Sequence, residues 1–293
     1  MRSPIGACTV KGADGTPLFC EQAGVGAPVV LLNGLACDGF IWKYLFPELA
    51  RRYRMIHWHY PGHGLSGIPR ESASFTIARL ADDLHCVLRQ IEAPPAVLVG
   101  HSLGVQVALE TWHRYPRSVQ GLVLICGVSG RLMSSVDRSA LFRYLLPLFT
   151  LTESVSPAFL WDLFKRLPSR ILSLAAILSQ EINIRLIRRP DLDAYFNGIK
   201  SADIRVVLRF LKNADIHDAS AYLGDIDVPT LVFGGGLDKL TPLLRVQALA
   251  GAIPDAELHV AERGSHALPV EQPDLVTLRT RRFLEERVFP SGE

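Results

Sequence analysis

Gly100-His101-Ser102-Leu103-Gly104 follows the apolar run Ala96-Val97-Leu98-Val99 and precedes a segment of helical character at residues 105–115. That order predicts a strand, a sharp turn carrying a serine, and a helix. A G-x-S-x-G pattern acquires meaning only in such a context. Its two glycines let backbone pack closely around a strained turn, leaving the serine oxygen exposed at the sheet edge.

A serine hydroxyl is a poor nucleophile near neutral pH. It needs a histidine base and an acid that holds the base in the useful tautomer. In a strand–elbow–helix architecture the acid and then the histidine follow the serine. Downstream, Pro229-Thr230-Leu231-Val232-Phe233-Gly234 reads as a buried strand, with Asp238 just beyond it. Residues 256–260 read as another strand, and Gly264-Ser265-His266-Ala267 follows. Ser102, Asp238 and His266 thus each lie past the C-terminal end of an expected parallel strand, where open α/β sheets place their active sites. Singly, they read as a turn serine, a capping or turn aspartate and a loop histidine. Their order and strand-end positions favour a catalytic triad. Glu262, the nearest rival acid, lies at the wrong strand end.

With these segments the chain resembles the α/β-hydrolase superfamily from about residue 9 to residue 289. Leu31-Leu32-Asn33-Gly34-Leu35, Trp42, Tyr60-Pro61-Gly62-His63-Gly64-Leu65-Ser66 and Val270-Glu271-Gln272-Pro273 extend the likeness. The resemblance implies an α/β fold: a doubly wound, mostly parallel eight-stranded sheet with an inserted all-helical cap. It implies a serine esterase or lipase-type carboxylic ester hydrolase that needs no cofactor. The backbone N–H groups of Leu35 and Leu103 are the implied oxyanion donors, and losing one such donor typically costs about 2.7–4 kcal/mol. Asn33, Gly34, Cys37, His101, Phe142, Leu145, Trp161 and Leu268 are the expected substrate-binding residues.

The chain departs from the family pattern at several points. Asn33-Gly34 stands where His-Gly is frequent, and Asn33 resembles the asparagine of some enol-lactone hydrolases. His59-Tyr60-Pro61-Gly62-His63-Gly64 departs from Asp-x-Arg-Gly-x-Gly, a change expected to alter a buried support for the turn. Val105 replaces a small residue after the elbow, and no acid follows residues 119–125, so the alternative acid position is empty. Lactone, thioester and carbon–carbon bond hydrolysis and perhydrolysis share this apparatus; a ligand receptor or accessory protein is the reading from another class. Serine at 102 argues against epoxide hydrolysis and dehalogenation, whose relatives carry aspartate there.

Residues 7–23 read as a hairpin turning at 13–17, and alternating strands and helices follow from 28 to 126. The pattern changes at 127–130. From 131 to 215 no strand is expected, only helix-like pieces at 139–149, 157–166, 170–185, 191–199 and 203–213. This assigns 1–130 and 216–293 to the core and 131–215 to a cap inserted after the sixth strand. Aromatics such as Phe142, Tyr144, Phe159, Trp161 and Phe210 are dense in the cap. They imply an apolar pocket roof and a hydrophobic acyl or alicyclic substrate.

The 293 residues carry 31 basic and 29 acidic side chains, which gives no basic face for nucleic acid. Basic clusters at 185–189 and 279–282 read as solvated helix faces. Cys8, Cys20, Cys37, Cys86 and Cys126 are spaced as reduced structural thiols. His57-Trp58-His59 with His63 lacks an acidic partner in the sequence, so no metal is expected. The N-terminus has no apolar signal core, and no run reaches the ~18 apolar residues of a membrane span. The expectation is a cytoplasmic protein that takes a small hydrophobic ester or lactone, with no nucleic-acid or integral membrane association. The sequence gives no oligomeric state.

Overall fold

Val29-Val30-Leu31-Leu32 and Ala96-Val97-Leu98-Val99 are buried along their whole length, as in parallel strands covered by helices on both faces. A computed structural model describes residues 6–37, 39–70, 75–93, 95–131 and 182–290, together with 162, 165 and 166. The strands are β1 (Gly6–Lys11), β2 (Pro17–Ala23), β3 (Pro28–Leu32), β4 (Arg54–Trp58), β5 (Ala96–His101), β6 (Val119–Ile125), β7 (Thr230–Gly235) and β8 (Ala256–Ala261). They form one eight-stranded sheet in the order β1-β2-β4-β3-β5-β6-β7-β8. β1 and β2 make the expected hairpin, and β2 also runs antiparallel to β4. All other neighbours are parallel.

The helices are α1 (Leu45–Leu49), α2 (Ile77–Gln90), α3 (Leu103–Arg114), α4 (Arg189–Ser201), α5 (Ile204–Ala214), α6 (Leu243–Ala252), α7 (Leu268–Glu271) and α8 (Pro273–Phe283). Strand side chains alternate between two cores. Val30, Leu32, Ile56 and Leu98 cluster with residues of α2, α3 and α6. Val29, Leu31, Met55 and Val97 cluster with residues of α1 and α8. Burying each such side chain contributes about 1.5–3 kcal/mol. α2 shows how the local sequence supports this. The Thr76 hydroxyl accepts the N–H of Arg79 at 3.1 Å and caps the helix. Ile77, Leu80, Leu84, Val87 and Leu88 then form its buried stripe.

Between β6 and β7 the described residues include α4 and α5. Phe210 of α5 packs its ring 5.2 Å from that of Phe75, and Asp191 of α4 accepts from Lys43 Nζ and the Tyr44 hydroxyl, each at 2.6 Å. The helix expected over 170–185 does not extend through 182–185. The Asn183 side chain accepts the N–H of Arg185 at 3.1 Å, and the N–H groups of Leu186 and Ile187 turn back to the Asn183 carbonyl. Asparagine favours such local turns over helix, so the basic cluster at 185–189 begins on a turn, not on a helix face. Phe142, Leu145 and Trp161 lie outside the described residues, as does most of the expected cap. No helix among the described residues is long and apolar enough to cross a membrane.

Candidate active site

Ser102 follows the last residue of β5 and caps α3 with φ 55° and ψ −116°. Left-handed backbone at a non-glycine residue is strained, and the surrounding contacts impose it. The Ser102 N–H donates to the Ile125 carbonyl of β6 at 3.0 Å. A Cβ on Gly100 would collide with the Gly104 carbonyl, and one on Gly104 with the Leu32 carbonyl. Only glycines at both positions let the elbow sit this close to the sheet.

The structure brings Ser102, His266 and Asp238 together from three strand ends. Ser102 Oγ lies 2.9 Å from His266 Nε2, and His266 Nδ1 lies 3.0 Å from Asp238 Oδ2. With Nδ1–H donating to the carboxylate, Nε2 is left to accept the serine proton. Asp238 is itself held. Its Oδ1 accepts the N–H groups of Leu240 and Thr241, each at 2.9 Å, and its Oδ2 accepts the Thr241 hydroxyl. Burial alone would raise this carboxyl, but His266 and Thr241 keep it below its ordinary range. Thr241 was not anticipated from the sequence, although its place three residues after Asp238 fits a side chain closing a tight turn.

The loop after β3 lies against the elbow. A Cβ on Gly34 would come 3.1 Å from His101 Nδ1 and 3.2 Å from Ser102 Cβ, so a side chain there would press on the elbow. Among the described residues no hydrogen bond engages the N–H of Leu35 or of Leu103. Leu268 and Cys37 are buried. His101 and Asn33, expected to meet substrate, also have partners within the protein. His101 Nε2 donates to the His266 carbonyl at 2.8 Å, and burial together with His266 pushes its pKa down to about 3, so the ring is neutral. Asn33 Oδ1 accepts from Trp42 Nε1 at 2.8 Å, and its Nδ2 lies 2.9 Å from His57 Nε2. Cys126, with φ 47°, occupies the position after β6 where an alternative acid would stand.

The buried support expected to change with His59 is kept by a different acceptor. His59 Nδ1 accepts the N–H of Leu65 at 2.9 Å. The acidic partner missing from the sequence around His57 is Glu21, directly opposite it across β2 and β4. Glu21, His57 and His59 are the only such cluster among the described residues with ligand atoms close enough for a metal ion. The Leu65 bond occupies the Nδ1 lone pair of His59 and puts its proton on Nε2. Both nitrogens of His57 are engaged as well. Within the trio, Glu21 and His57 are joined by a hydrogen bond, while His59 is bonded to Leu65.

Residues 27–273 match the family described as alpha/beta hydrolase fold. Protein ABHD8 of Bos taurus is 25% identical over 273 residues, covering 93% of this chain; the chain spans only 59% of that protein's length. The pimeloyl-[acyl-carrier protein] methyl ester esterase of Methylococcus capsulatus is 30% identical over 237 residues, covering 80% of this chain and 85% of that protein. The solved structure of the esterase EaEST from Exiguobacterium antarcticum superposes with a TM-score of 0.78 at 20% identity, covering 96% of this chain and 100% of that one.

Proposed function

The chain belongs to the α/β-hydrolase fold family, and from that premise we propose that it is a serine hydrolase of carboxylic esters with a hydrophobic acyl or alicyclic part. The observation that carries this reading is the placement of His266 Nε2 2.9 Å from Ser102 Oγ, with Nδ1 held by Asp238. Ser102 Oγ attacks the ester carbonyl carbon while His266 Nε2 takes its proton. The N–H groups of Leu35 and Leu103 receive the developing oxyanion. Asp238 stabilises the imidazolium and keeps it oriented. The tetrahedral intermediate collapses, and His266 returns the proton to the departing alkoxide. Water then gives a proton to His266 and attacks the acyl-enzyme carbonyl, and as this second intermediate collapses His266 returns the proton to Ser102 Oγ, releasing the acid. The same steps open a lactone, whose ring oxygen is the leaving alkoxide.

The name of the Methylococcus capsulatus relative as a methyl ester esterase supports an ester substrate. Residues 131–215 form the cap in this reading, with α4 and α5 among its described residues. The test is hydrolysis of p-nitrophenyl esters from acetyl to palmitoyl by wild type and by Ser102→Ala. Turnover with a chain-length optimum, lost in the variant, is expected. Equal turnover by Ser102→Ala overturns the reading.

A further inference from the structure

Glu21, His57, Asn33 and Trp42 form one directional chain of hydrogen bonds under the loop after β3. The Glu21 carboxylate can only accept, so His57 Nδ1, 2.7 Å from Oε1, carries a proton. With Nδ1–H given to Glu21, Nε2 is the nitrogen left to accept. The donor at 2.9 Å is the Asn33 amide Nδ2. Asn33 Oδ1 also lies 3.1 Å from that nitrogen, but it already accepts from Trp42 Nε1 at 2.8 Å. Every donor in the chain meets an acceptor in only one orientation of the asparagine amide. The bond to His57 holds the Glu21 carboxyl below its ordinary range. His59 is the other titratable group against His57, its ring centroid 5.1 Å away.

This chain clamps the loop from both ends. Asn33 starts the loop and Trp42 lies past its far end. Between them Gly39, with φ 103°, packs so closely that a Cβ would run into the His57 ring. Leu35, the proposed oxyanion donor, lies inside the clamped stretch, next to Gly34 and its contact with Ser102. We propose that Glu21 and His57 are positioning residues that act through Asn33 to set the Leu35 N–H against the Ser102 elbow. This rests on the ester-hydrolase reading. The geometric demand is plain: an oxyanion donor works within a few tenths of an ångström, and misplacement by about 1 Å costs roughly 10²-fold in rate.

The experiment uses p-nitrophenyl butyrate with wild type, Ser102→Ala, His57→Phe, Glu21→Leu, Glu21→Gln and the His57→Phe/Glu21→Leu double variant. Expected are kcat losses of about tenfold for His57→Phe and Glu21→Leu with KM nearly unchanged, smaller than the 10²–10³ for removing a donor outright. Gln keeps an accepting oxygen, so Glu21→Gln retains most activity. The double variant is no worse than His57→Phe alone, because both break one chain. Glu21 has a side chain 32% exposed, so its variants remain informative where His57→Phe does not fold. The ¹⁵N shifts of His57 give a reading without substrate: protonated Nδ1 and bare Nε2 support the chain, and the reverse tautomer overturns it. Ser102-dependent turnover with full kcat in His57→Phe and Glu21→Leu also overturns it, as do losses that add in the double variant. A wild type without Ser102-dependent turnover overturns the hydrolase reading and this inference together, and that control tells the two failures apart.

Discussion

Glu271 accepts the backbone N–H of Ser265 at 2.7 Å, so a buried carboxylate of α7 anchors the residue before His266. The same carboxylate accepts the Ser265 hydroxyl and, at 2.6 Å, the N–H of Asn183. Asn183 donates its side-chain amide to the Arg263 carbonyl at 2.8 Å. One carboxylate thus joins the His266 loop to the segment leading into α4. Burial raises its pKa, and the bonds from Ser265 and Asn183 oppose that rise.

Glu271→Ala strands these donors, and a buried donor left without an acceptor costs about 1–3 kcal/mol. The expected result is a lower urea midpoint together with a kcat loss at nearly constant KM, because His266 loses its mooring. An unchanged midpoint and unchanged kcat would show that the carboxylate anchors nothing.

Asp238→Asn keeps the shape of the acid but offers an amide to His266 and disturbs its tautomer. In a serine triad such a change lowers kcat on the order of 10⁴-fold. The prediction is a loss of that scale in ester turnover, with Thr241 still bonded to position 238 and the fold retained. Retention of more than a tenth of wild-type kcat contradicts the orienting role.

Asp83 sets a pH dependence of stability. Burial pushes its carboxyl to about 6, against the opposing effects of the Ala13 N–H and Arg79. The folded pKa lies above the ordinary aspartate value of 3.8, so the native state binds more protons between those two values. Stability from this group is therefore present below about 3.8 and is lost as pH rises through about 6, by on the order of 2–3 kcal/mol. Asp83→Asn cannot titrate. Urea unfolding from pH 3.5 to 7.5 should show wild type losing stability relative to Asp83→Asn across that window; a constant difference refutes the assignment.

The residues proposed for chemistry were legible because their signals are local. Apolar runs ending in glycine mark β5 and β7, the Gly100 and Gly104 pair marks the elbow, and Ser102, Asp238 and His266 follow in order past successive strand ends. Each signal needs only neighbours within a few positions, since side-chain alternation and turn chemistry act at that range. Their supporting groups were not legible. Glu21 meets His57 across 36 positions through the β2–β4 register, and Glu271 meets Asn183 across 88. At 182–185 the helical pattern yielded to the hydrogen bonds of Asn183. By itself the sequence determined the strands, the elbow and the order of the three proposed catalytic groups. The tertiary structure alone decided the partners of Asn33, His57 and Glu271, because a buried polar group must be satisfied by whichever donor or acceptor the folded register brings within about 3 Å.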